Sequence, residues 1–518
     1  MKSSPLWRIL AACVLLFAFG MAVYRAKTQT IAHDEALEYE WFLDGGVAHV
    51  LEYNPANHML FTLLAKPTVW TLGVSELRLR LPSVAGALLY VLAAYLLSRR
   101  LFGGGLLFFL SVGLLCLNPQ ILEFMPAARG YILGLAGLVA AMYAMTRLTE
   151  RGEFDPAAKE WRHGCAVASL ALAVPVMATP TNAIPVVCLG MAFSIVALGG
   201  WKRLPAFRDA RMQEFAKRFV APGAAAGFCV LWPYLIQMRP GHFYAGLKTA
   251  RDSMSDVFTG SFLYKWTDDV WAPSLGGVPA VPGSWQARAV NLGIYVLLPV
   301  LFWLVASGVL LARRSGKGPS ASPTSAACRI FGGAAIACVL LIAGMHVLLR
   351  AHYPNARYCL FLVPLFTVGA LLAGREIAAR YPRRALRAIG LLITATVVAD
   401  YAASIQVKEF RYNAYDAISF KLYQAIAEDA QNHGLPQVRV GGTWWYEPEI
   451  NFYRRKFKNA RIAEYDVVDK SYFWRSPNAL EPSQYDYFVF VPASDPGLGG
   501  ERVVFRDELR KLTVIAKK

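Results

Sequence analysis

The sequence predicts a polytopic α-helical membrane protein with about eleven transmembrane helices and a small extracytoplasmic α/β domain at its C-terminal end. Three observations predict this class. Of the 518 residues, 56% are hydrophobic and only 17% are charged, whereas an average soluble domain has about 25% charged residues. Apolar runs recur up to residue 403. The tail after residue 403 is polar and has no long apolar run. This composition excludes a disordered chain and is atypical of a soluble enzyme.

The first apolar run extends from Ile9 to Tyr24 and follows Lys2 and Arg8, a pattern that a signal peptide would also show. No small-x-small cleavage site follows the run, and two further basic residues come directly after it. We therefore predict that this run is an uncleaved first transmembrane helix.

The remaining spans are predicted from the apolar runs that follow. A span needs about 20 residues, so the runs 105–118 and 164–178 are short. The uncharged stretch 164–200 is too long for one helix, and Thr179–Asn182 is the expected break. Residues 59–73 predict a helix that lies at the membrane interface. The predicted spans are 6–24, 82–98, 105–118, 131–146, 164–178, 183–200, 219–238, 289–311, 330–349, 358–373 and 388–403.

The distribution of lysine and arginine predicts the orientation of these spans. If the N-terminus is cytoplasmic, the short inner segments hold more basic residues than the longer outer loops, as the positive-inside rule requires. The net charge of +18 then follows from topology. A nucleic-acid-binding protein would need a clustered basic domain, and the sequence has none. The inner segments are 1–8, 98–104, 147–163, 201–218, 312–329 and 374–387.

The expected domains are a transmembrane domain over 1–403, with outer loops 25–81 and 239–288, and an extracytoplasmic α/β domain over 404–518. In the tail, an amphipathic pattern predicts a helix over 414–432 that ends at Gly434, and a second helix is predicted over 447–457. Short β-branched and aromatic runs predict strands. These strands are Val438–Gly441, Asp486–Val491, Val503–Phe505 and Leu512–Ala516. The Gly/Ser/Pro-rich stretch 315–325 predicts a flexible loop.

The eight cysteines predict neither a disulfide framework nor a zinc site, because almost all lie in apolar runs and no CxxC or Cys/His spacing occurs. We expect them to be small apolar core residues.

The first outer loop is unusually rich in ionisable side chains. One interpretation is structural: Asp34 would be the N-cap of a helix over 35–43, Glu35 would favour the positive end of that helix, and the other acids would be solvated. The other interpretation is a general base beside the membrane surface, where a carboxylate takes a proton from an attacking hydroxyl or amine. The two interpretations overlap. The loop contains Asp34, Glu35, Glu38, Glu40, Asp44, Glu52 and Glu76, with His33, His49 and His58.

Several motifs of this loop resemble the beginning of the GT-C membrane glycosyltransferases. They are His33–Ala36, Asn57-His58 and Gly73–Ser83. The most similar group is family 39, which includes protein O-mannosyltransferases and lipid A aminoarabinose transferases. Ala128–Tyr131 and Asn355–Tyr358 also resemble elements of bacterial members. The resemblance covers residues 30–150 well and 350–370 loosely.

The resemblance implies an inverting glycosyltransferase that takes a hexose or pentose from a polyprenyl-phosphate donor at the outer face of a bacterial inner membrane. It implies that Asp34 is the base or positions the acceptor, with Glu35 beside it as a second catalytic acid. Family 39 chemistry does not generally require a metal, so we expect no cofactor; the alternative is a divalent ion held by His33, His49 and His58 together with the acids. Aminoarabinose transferases have a Lys-Pro-Pro element where this chain reads Asn54–His58, so the resemblance does not extend to their substrate.

Arginine beside tyrosine at two outer turns predicts a binding site for the donor phosphate, because the guanidinium fork binds two oxygens and the phenol adds a donor. The alternative is that each arginine is an interfacial anchor. Glu123 is either a second acid of the site or a partner of the nearby arginine. His33 and His58 are candidates for acceptor binding. The candidate phosphate-binding residues are Arg129, Tyr131, Arg357 and Tyr358.

Two further segments are candidates for contacts with substrate. The outer loop 239–288 is rich in Trp and Tyr, which favour the headgroup layer of a membrane. The tail motif Thr443–Pro448 has two adjacent tryptophans that either stack on an acceptor sugar or pack in the core. We expect an acceptor that is a lipid, a polysaccharide or a protein.

Two other functions compete with glycosyl transfer. One is a transporter or flippase of lipid-linked sugars, which usually has internal repeats and ionisable residues near the membrane midplane. This sequence has no visible repeat, and its acids cluster at one outer face. The other is a non-catalytic partner in glycan assembly, in which the acids of the first loop would be dispensable.

Overall fold

The computed structural model describes residues 5–54, 56–200, 209–237, 246–263, 284–315, 322–407, 414–467, 484–490, 501–510 and 512–517. Its helices up to residue 237 are α1 Pro5–Thr28, α2 His33–Glu38, α3 Val47–Val50, α4 Met59–Leu72, α5 Glu76–Phe102, α6 Leu106–Cys116, α7 Pro119–Phe124, α8 Tyr131–Thr149, α9 Lys159–Ala178, α10 Ala183–Ala197, α11 Ala210–Phe215 and α12 Ala221–Gln237. Those that follow are α13 Ala250–Phe262, α14 Trp285–Leu292, α15 Leu298–Ser315, α16 Pro323–Leu349, α17 Leu362–Arg380, α18 Arg384–Ala403, α19 Ser419–Asn432 and α20 Glu447–Lys456.

Within the described ranges, ten helices are long and apolar enough to cross a membrane. The protein is therefore a multi-pass membrane protein, as the sequence predicts. Each of the ten overlaps one predicted span. Helix α11 continues into α12 through a π-turn, and α14 continues into α15 in the same way. The predicted break at Thr179–Asn182 is confirmed by a 3₁₀ turn between α9 and α10.

The eleventh predicted span, 105–118, is found as the apolar helix α6, which has only 11 residues and is shorter than the other ten. The chain nevertheless returns along the length of α5. The hydroxyls of Ser98 and Ser111 are 2.9 Å apart, and the Tyr90 hydroxyl donates to the Leu115 carbonyl at 2.8 Å. The Ser83 hydroxyl then donates to the Arg129 carbonyl at 3.2 Å. The segment after α6 therefore completes the return in short helical pieces.

Helix α8 lies at the centre of the bundle. Of its most apolar 18-residue window, 83% is buried, more than in the other candidate spans. Small residues allow its neighbours to approach closely: a Cβ atom on Gly137 would lie 2.7 Å from Cβ of Val174 in α9, and one on Gly86 in α5 would lie 2.9 Å from Leu133. This packing fixes the N-terminal end of α8, where Arg129 lies, between the ends of α5 and α9.

The C-terminal region is an α/β structure with a five-stranded sheet in the order β2-β1-β3-β5-β4. Strand β1 pairs in parallel with β2 and β3, and β5 is antiparallel to β3 and β4. The predicted strands and helices are found with small shifts at their ends, and β2 was not predicted. Val491, the last residue of one predicted strand, lies outside the described residues. The strands are β1 Val440–Gly442, β2 Asp466–Val467, β3 Tyr487–Phe490, β4 Arg502–Asp507 and β5 Leu512–Ala516.

Two predicted loops are described only in part. The flexible loop predicted over 315–325 is described only at its ends, and α16 begins within it at Pro323. The outer loop 239–288 is described over 246–263 and from residue 284. Its described part includes α13, which packs against the turn at Asn355–Cys359.

Candidate active site

Helix α2 carries the acidic pair of the first outer loop. It begins at His33, so its N-cap is Ala32, and the Glu35 carboxylate accepts a hydrogen bond from the Ala32 amide at 2.9 Å. The prediction that Asp34 is the N-cap is wrong, because the helix begins one residue before it. The Asp34 carboxylate is therefore not used in capping, and its side chain remains 26% exposed.

Two arginines from distant parts of the chain converge on Asp34. The Arg357 Nη1 atom lies 2.5 Å from Oδ2 of Asp34, and Arg129 Nη1 donates to the Asp34 backbone carbonyl at 2.8 Å. Burial raises the pKa of the Asp34 carboxyl, but the opposing charges of Arg357 and Arg129 outweigh burial and hold the pKa below its usual range. Asp34 is therefore ionised at neutral pH.

Arg357 is positioned by α13, a helix of the outer loop 239–288. The Asp256 carboxylate accepts a hydrogen bond from the Ala356 amide at 2.6 Å, and the Ser253 hydroxyl donates to the Pro354 carbonyl at 2.6 Å. The guanidinium carbon of Arg357 lies 5.2 Å from the ring centroid of Tyr358, within the range of a cation–π contact. These contacts hold the turn so that the arginine faces α2.

Arg129 is held at the end of α8 by close backbone packing. A Cβ atom on Gly130 would lie 2.1 Å from the Ala178 carbonyl oxygen and 3.0 Å from Nδ1 of His58. Only glycine fits at this position. Since the neighbouring Arg129 side chain is 6% exposed, its charge needs anionic partners inside the protein.

Glu38 supplies such a partner. The sequence places it among the acids of the first outer loop but predicts no role for it. Its Oε2 atom lies 3.6 Å from Arg129 Nη1, and its Oε1 atom accepts from the Thr62 hydroxyl at 2.6 Å. Burial raises the pKa of Glu38 to about 7, although Arg129 opposes the shift. The signal that could have found it is its spacing from Asp34, because residues four apart lie on one face of a helix.

His58 and Tyr131 form the side of the site next to α9. His58 Nδ1 lies 3.1 Å from the Ala178 carbonyl, and since a carbonyl only accepts, Nδ1 carries the hydrogen. Burial and the charge of Arg129 hold the pKa of His58 well below its ordinary value, so the ring is neutral. The Tyr131 ring lies 4.9 Å from the His58 ring and 6.4 Å from the Tyr358 ring, centroid to centroid. The Tyr131 hydroxyl is buried and has no hydrogen-bond partner among the described residues.

Glu35 and Glu123 are both buried and interact with arginines other than Arg129 and Arg357. Both Glu35 oxygens pair with the guanidinium of Arg80, and Oε1 also accepts from the Ala128 amide. Glu123 is buried close to Arg25, and the acids that interact with Arg129 are Asp34 and Glu38. The structure thus brings together Asp34, Arg129, His58, Tyr131, Arg357 and Tyr358. The proposed catalytic role of Glu35 stays a prediction.

His33 faces the C-terminal domain. Its ring centroid lies 5.0 Å from Trp444 and 5.9 Å from Trp445, and its Nδ1 atom lies 2.9 Å from the Trp445 carbonyl. The tail motif, expected either to stack on an acceptor sugar or to pack in the core, is therefore next to the acidic pair. Within the described residues, no group of three or more His, Cys, Asp or Glu side chains is arranged to hold a metal ion.

No protein-family model matches this chain. No curated protein matches it either. The fold is similar to that of ArnT from Cupriavidus metallidurans bound to undecaprenyl phosphate, with a TM-score of 0.45 and 14% identity over 99% of this chain and 98% of that one.

A second similarity is to the oligosaccharyltransferase of Archaeoglobus fulgidus in complex with Zn and sulfate, with a TM-score of 0.46 and 14% identity over 92% of this chain and 68% of that one. A further structure is that of the archaeal oligosaccharyltransferase AglB in complex with an inhibitory peptide and a dolichol-phosphate. Its TM-score is 0.45, with 13% identity over 93% of this chain and 69% of that one.

Proposed function

We propose that this protein is an inverting glycosyltransferase that moves a hexosyl or pentosyl group from a polyprenyl-phosphate donor to an acceptor at the outer face of a bacterial inner membrane. The observation that carries the proposal is the convergence of an ionised, partly exposed Asp34 with Arg129 and Arg357 at one end of a helical membrane bundle. A carboxylate beside two guanidinium groups supplies both a proton acceptor and a site for an anionic leaving group.

In the proposed reaction, the acceptor oxygen attacks the anomeric carbon from the face opposite the phosphate. The bond between that carbon and the phosphate oxygen breaks, and its electron pair leaves with polyprenyl phosphate. The acceptor proton passes to Asp34. Arg357 and Arg129 stabilise the negative charge that develops on the phosphate, and the hydroxyls of Tyr131 and Tyr358 supply neutral donors at the same site.

The ion pair between Asp34 and Arg357 explains why Asp34 becomes a stronger base only when the donor is bound. An ionised carboxylate held by a guanidinium is a weak base. When a donor phosphate binds Arg357, it competes with Asp34 for that charge, and the basicity of Asp34 increases as the substrate is bound. The base is thus activated by the donor itself.

The orientation in the membrane, the role of Glu35 and the independence from metal are parts of the same proposal. We place the N-terminus in the cytoplasm, because the helix ends away from the site carry basic clusters such as Arg99-Arg100, Arg313-Arg314 and Arg383-Arg384. The C-terminal domain is then periplasmic. We assign Glu35 to a positioning role, because Arg80 and backbone amides use both of its oxygens. The proposed chemistry is metal-independent, so transfer should persist in excess chelator.

The test is a transfer assay with protein in lipid nanodiscs, a polyprenyl-phosphate hexose and candidate envelope acceptors. Mass spectrometry would follow polyprenyl phosphate and the glycosylated acceptor, and NMR of the product would give the anomeric configuration. We expect Asp34→Asn to lose about 10²- to 10⁴-fold in kcat. Glu52→Gln is the matched control, because its side chain is 57% exposed in the same loop, and it should retain the wild-type rate.

Two outcomes would contradict the proposal. Undiminished transfer by Asp34→Asn would remove Asp34 as the base. Movement of a labelled lipid-linked sugar across liposomes, with no transfer to any acceptor, would favour the flippase alternative.

A further inference from the structure

The first outer loop is bound to the C-terminal domain by hydrogen bonds before α2 and by ion pairs after it. The Ile31 amide donates to the Tyr453 hydroxyl at 3.1 Å, and the Thr30 hydroxyl donates to the Asp416 carbonyl at 3.2 Å. Further along, the Arg455 guanidinium pairs with Glu40 at 3.3 Å and with Asp44 at 3.0 Å. The segment that carries Asp34 is thus fixed by a domain that is distant in sequence.

His33 is the centre of this contact. Its backbone amide donates to Oδ2 of Asp416 at 2.6 Å. Its Nδ1 atom donates to the Trp445 carbonyl at 2.9 Å and lies 3.5 Å from Oε2 of Glu449. The ring is 4% exposed and is enclosed by two tryptophan rings. The residue before the proposed base therefore has almost no freedom to move while Asp416 and Glu449 keep their places.

Asp416 and Glu449 are an unusual pair because both side chains are buried and both carboxyls approach the same residue, His33, at 2.6 Å from its amide nitrogen and 3.5 Å from its Nδ1 atom. Two ionised carboxylates against one buried residue would repel strongly in a medium of low dielectric constant. Retention of one proton by the pair would remove this repulsion. Consistent with this, burial raises the pKa of both groups well above the ordinary values, and each is further affected by the other.

We propose that Asp416 and Glu449 are positioning residues of the active site, which share one proton, hold His33 from the C-terminal domain and so fix the Asp34 carboxylate against the two arginines. This inference rests on the proposed glycosyl transfer, because it assigns the pair a role in placing the base of that reaction. The C-terminal domain is then part of the catalytic machinery.

The other charged groups around the pair favour retention of the proton. Glu40, from the turn after α2, and Glu447, at the beginning of α20, both raise the pKa of Glu449. His33 is the basic group that faces Asp416, and it lowers the pKa of Asp416 less than burial and Glu449 raise it. Arg510 and Asp507 lie on the far side, beside Tyr446, and act on its pKa in opposite directions.

The direction of the pH dependence follows from these shifts. Because the pKa of each carboxyl is raised in the folded protein, the pair's contribution to stability is complete at acidic pH and is lost as pH rises through the folded-state values. Loss of the shared proton puts two negative charges in a buried site. We therefore expect the first outer loop to separate from the C-terminal domain on the alkaline side.

The informative substitution is Glu449→Gln, because an amide nitrogen donates permanently to the Asp416 carboxylate and replaces the shared proton. The first measurement is hydrogen exchange of the segment 29–44 in nanodiscs, expressed as protection factors at several pH values. We expect wild-type protection to fall as pH rises and the protection of Glu449→Gln to stay constant. The second measurement is the pH profile of kcat, in which Glu449→Gln should lose the alkaline decline and keep its KM.

Two further variants complete the test. Glu449→Ala should reduce kcat by about 10- to 100-fold through misplacement of the base, with rescue by Glu449→Gln. Asp429→Asn is the matched control, because Asp429 lies in the same domain but pairs with Arg502 and Tyr487, and it should leave both pH profiles unchanged.

The outcomes separate this inference from the proposed function. If Glu449→Gln and wild type show the same pH dependence of protection and of kcat, the inference is wrong even though transfer is real. If wild type transfers no sugar, the proposed function fails, and the hydrogen-exchange measurement still decides whether the pair holds the loop. If Glu449→Ala does not fold, the comparison of Glu449→Gln with Asp429→Asn remains decisive.

Discussion

The surroundings of Asp34 and Glu35 differ sharply, although the two acids are adjacent in one helix. The Asp34 side chain is 26% exposed and pairs with Arg357, which is itself 18% exposed. The Glu35 side chain is 2% exposed and pairs with a fully buried Arg80 that also donates to the carbonyls of Ala26, Gln29 and Thr30. An acid whose oxygens all accept hydrogen bonds from buried groups maintains structure, whereas an acid with access to solvent can receive a proton from a substrate.

The largest expected effect tests this comparison through stability. Glu35→Gln cannot balance the charge of Arg80, and breaking a buried ion pair costs about 3–5 kcal/mol. We expect Glu35→Gln to lower the free energy of unfolding by that amount. Asp34→Asn should lower it less, because water reaches its ion pair. Thermal unfolding in detergent, with size-exclusion chromatography as the readout of folded protein, would measure the loss of stability in both variants. Equal losses in the two variants would mean that the acids have the same role.

The second prediction concerns the arginine on the exposed side. Arg357→Lys keeps the charge but loses the planar fork that binds two phosphate oxygens. We expect the donor KM to rise about tenfold and the free energy of unfolding to be nearly unchanged, because this ion pair is partly exposed. The measurement is transfer at varied donor concentration. Arg502→Lys is the control, because its ion pair with Asp429 lies within the C-terminal domain, and it should keep the wild-type KM. An unchanged KM in Arg357→Lys would exclude bidentate binding of the phosphate.

Glu38 is intermediate between the two acids, since it is buried like Glu35 but interacts with Arg129 of the site. Its pKa of about 7 is raised in the folded protein, so its contribution to stability is lost as pH rises from about 4.5, the usual value, to 7. Above pH 7 its carboxylate competes with the donor phosphate for Arg129. We expect the donor KM to increase severalfold between pH 6 and 8, and Glu38→Gln to abolish this dependence.

The control for Glu38→Gln is Glu40→Gln, because Glu40 follows closely but pairs with Arg455. If Glu40→Gln alters the pH dependence of KM as Glu38→Gln does, the effect arises from the net charge of the loop. Donor binding measured without an acceptor would separate affinity from the rate of transfer.

The contrast between the two acids also shows which features could be predicted from the sequence and which could not. Apolar runs predict ten of the spans, since burial in lipid requires them, and the alternation of residues predicts most of the tail domain. Asp34, Arg129 and Arg357 could be predicted as candidates because each stands beside a span end. The sequence did not separate Asp34 from Glu35, because the difference depends on Arg80, which comes from another helix. The roles of Asp256 and Glu449 could not be predicted from the sequence either, since each acts on a residue that is distant in sequence.

The smallest expected effect concerns Asp256, which holds the turn that presents Arg357 to the exposed acid. Asp256→Asn keeps an oxygen for the Ala356 amide but replaces a charge-assisted hydrogen bond with a neutral one, a loss of about 1 kcal/mol. Because Arg357 itself is retained, we expect kcat/KM to fall only about twofold to fivefold. The measurement is transfer at low donor concentration, with Asp252→Asn in the same helix as the control, since that half-buried acid pairs with Thr249. A loss as large as that of Arg357→Lys would show that the position of the turn, and not only the guanidinium, limits phosphate binding.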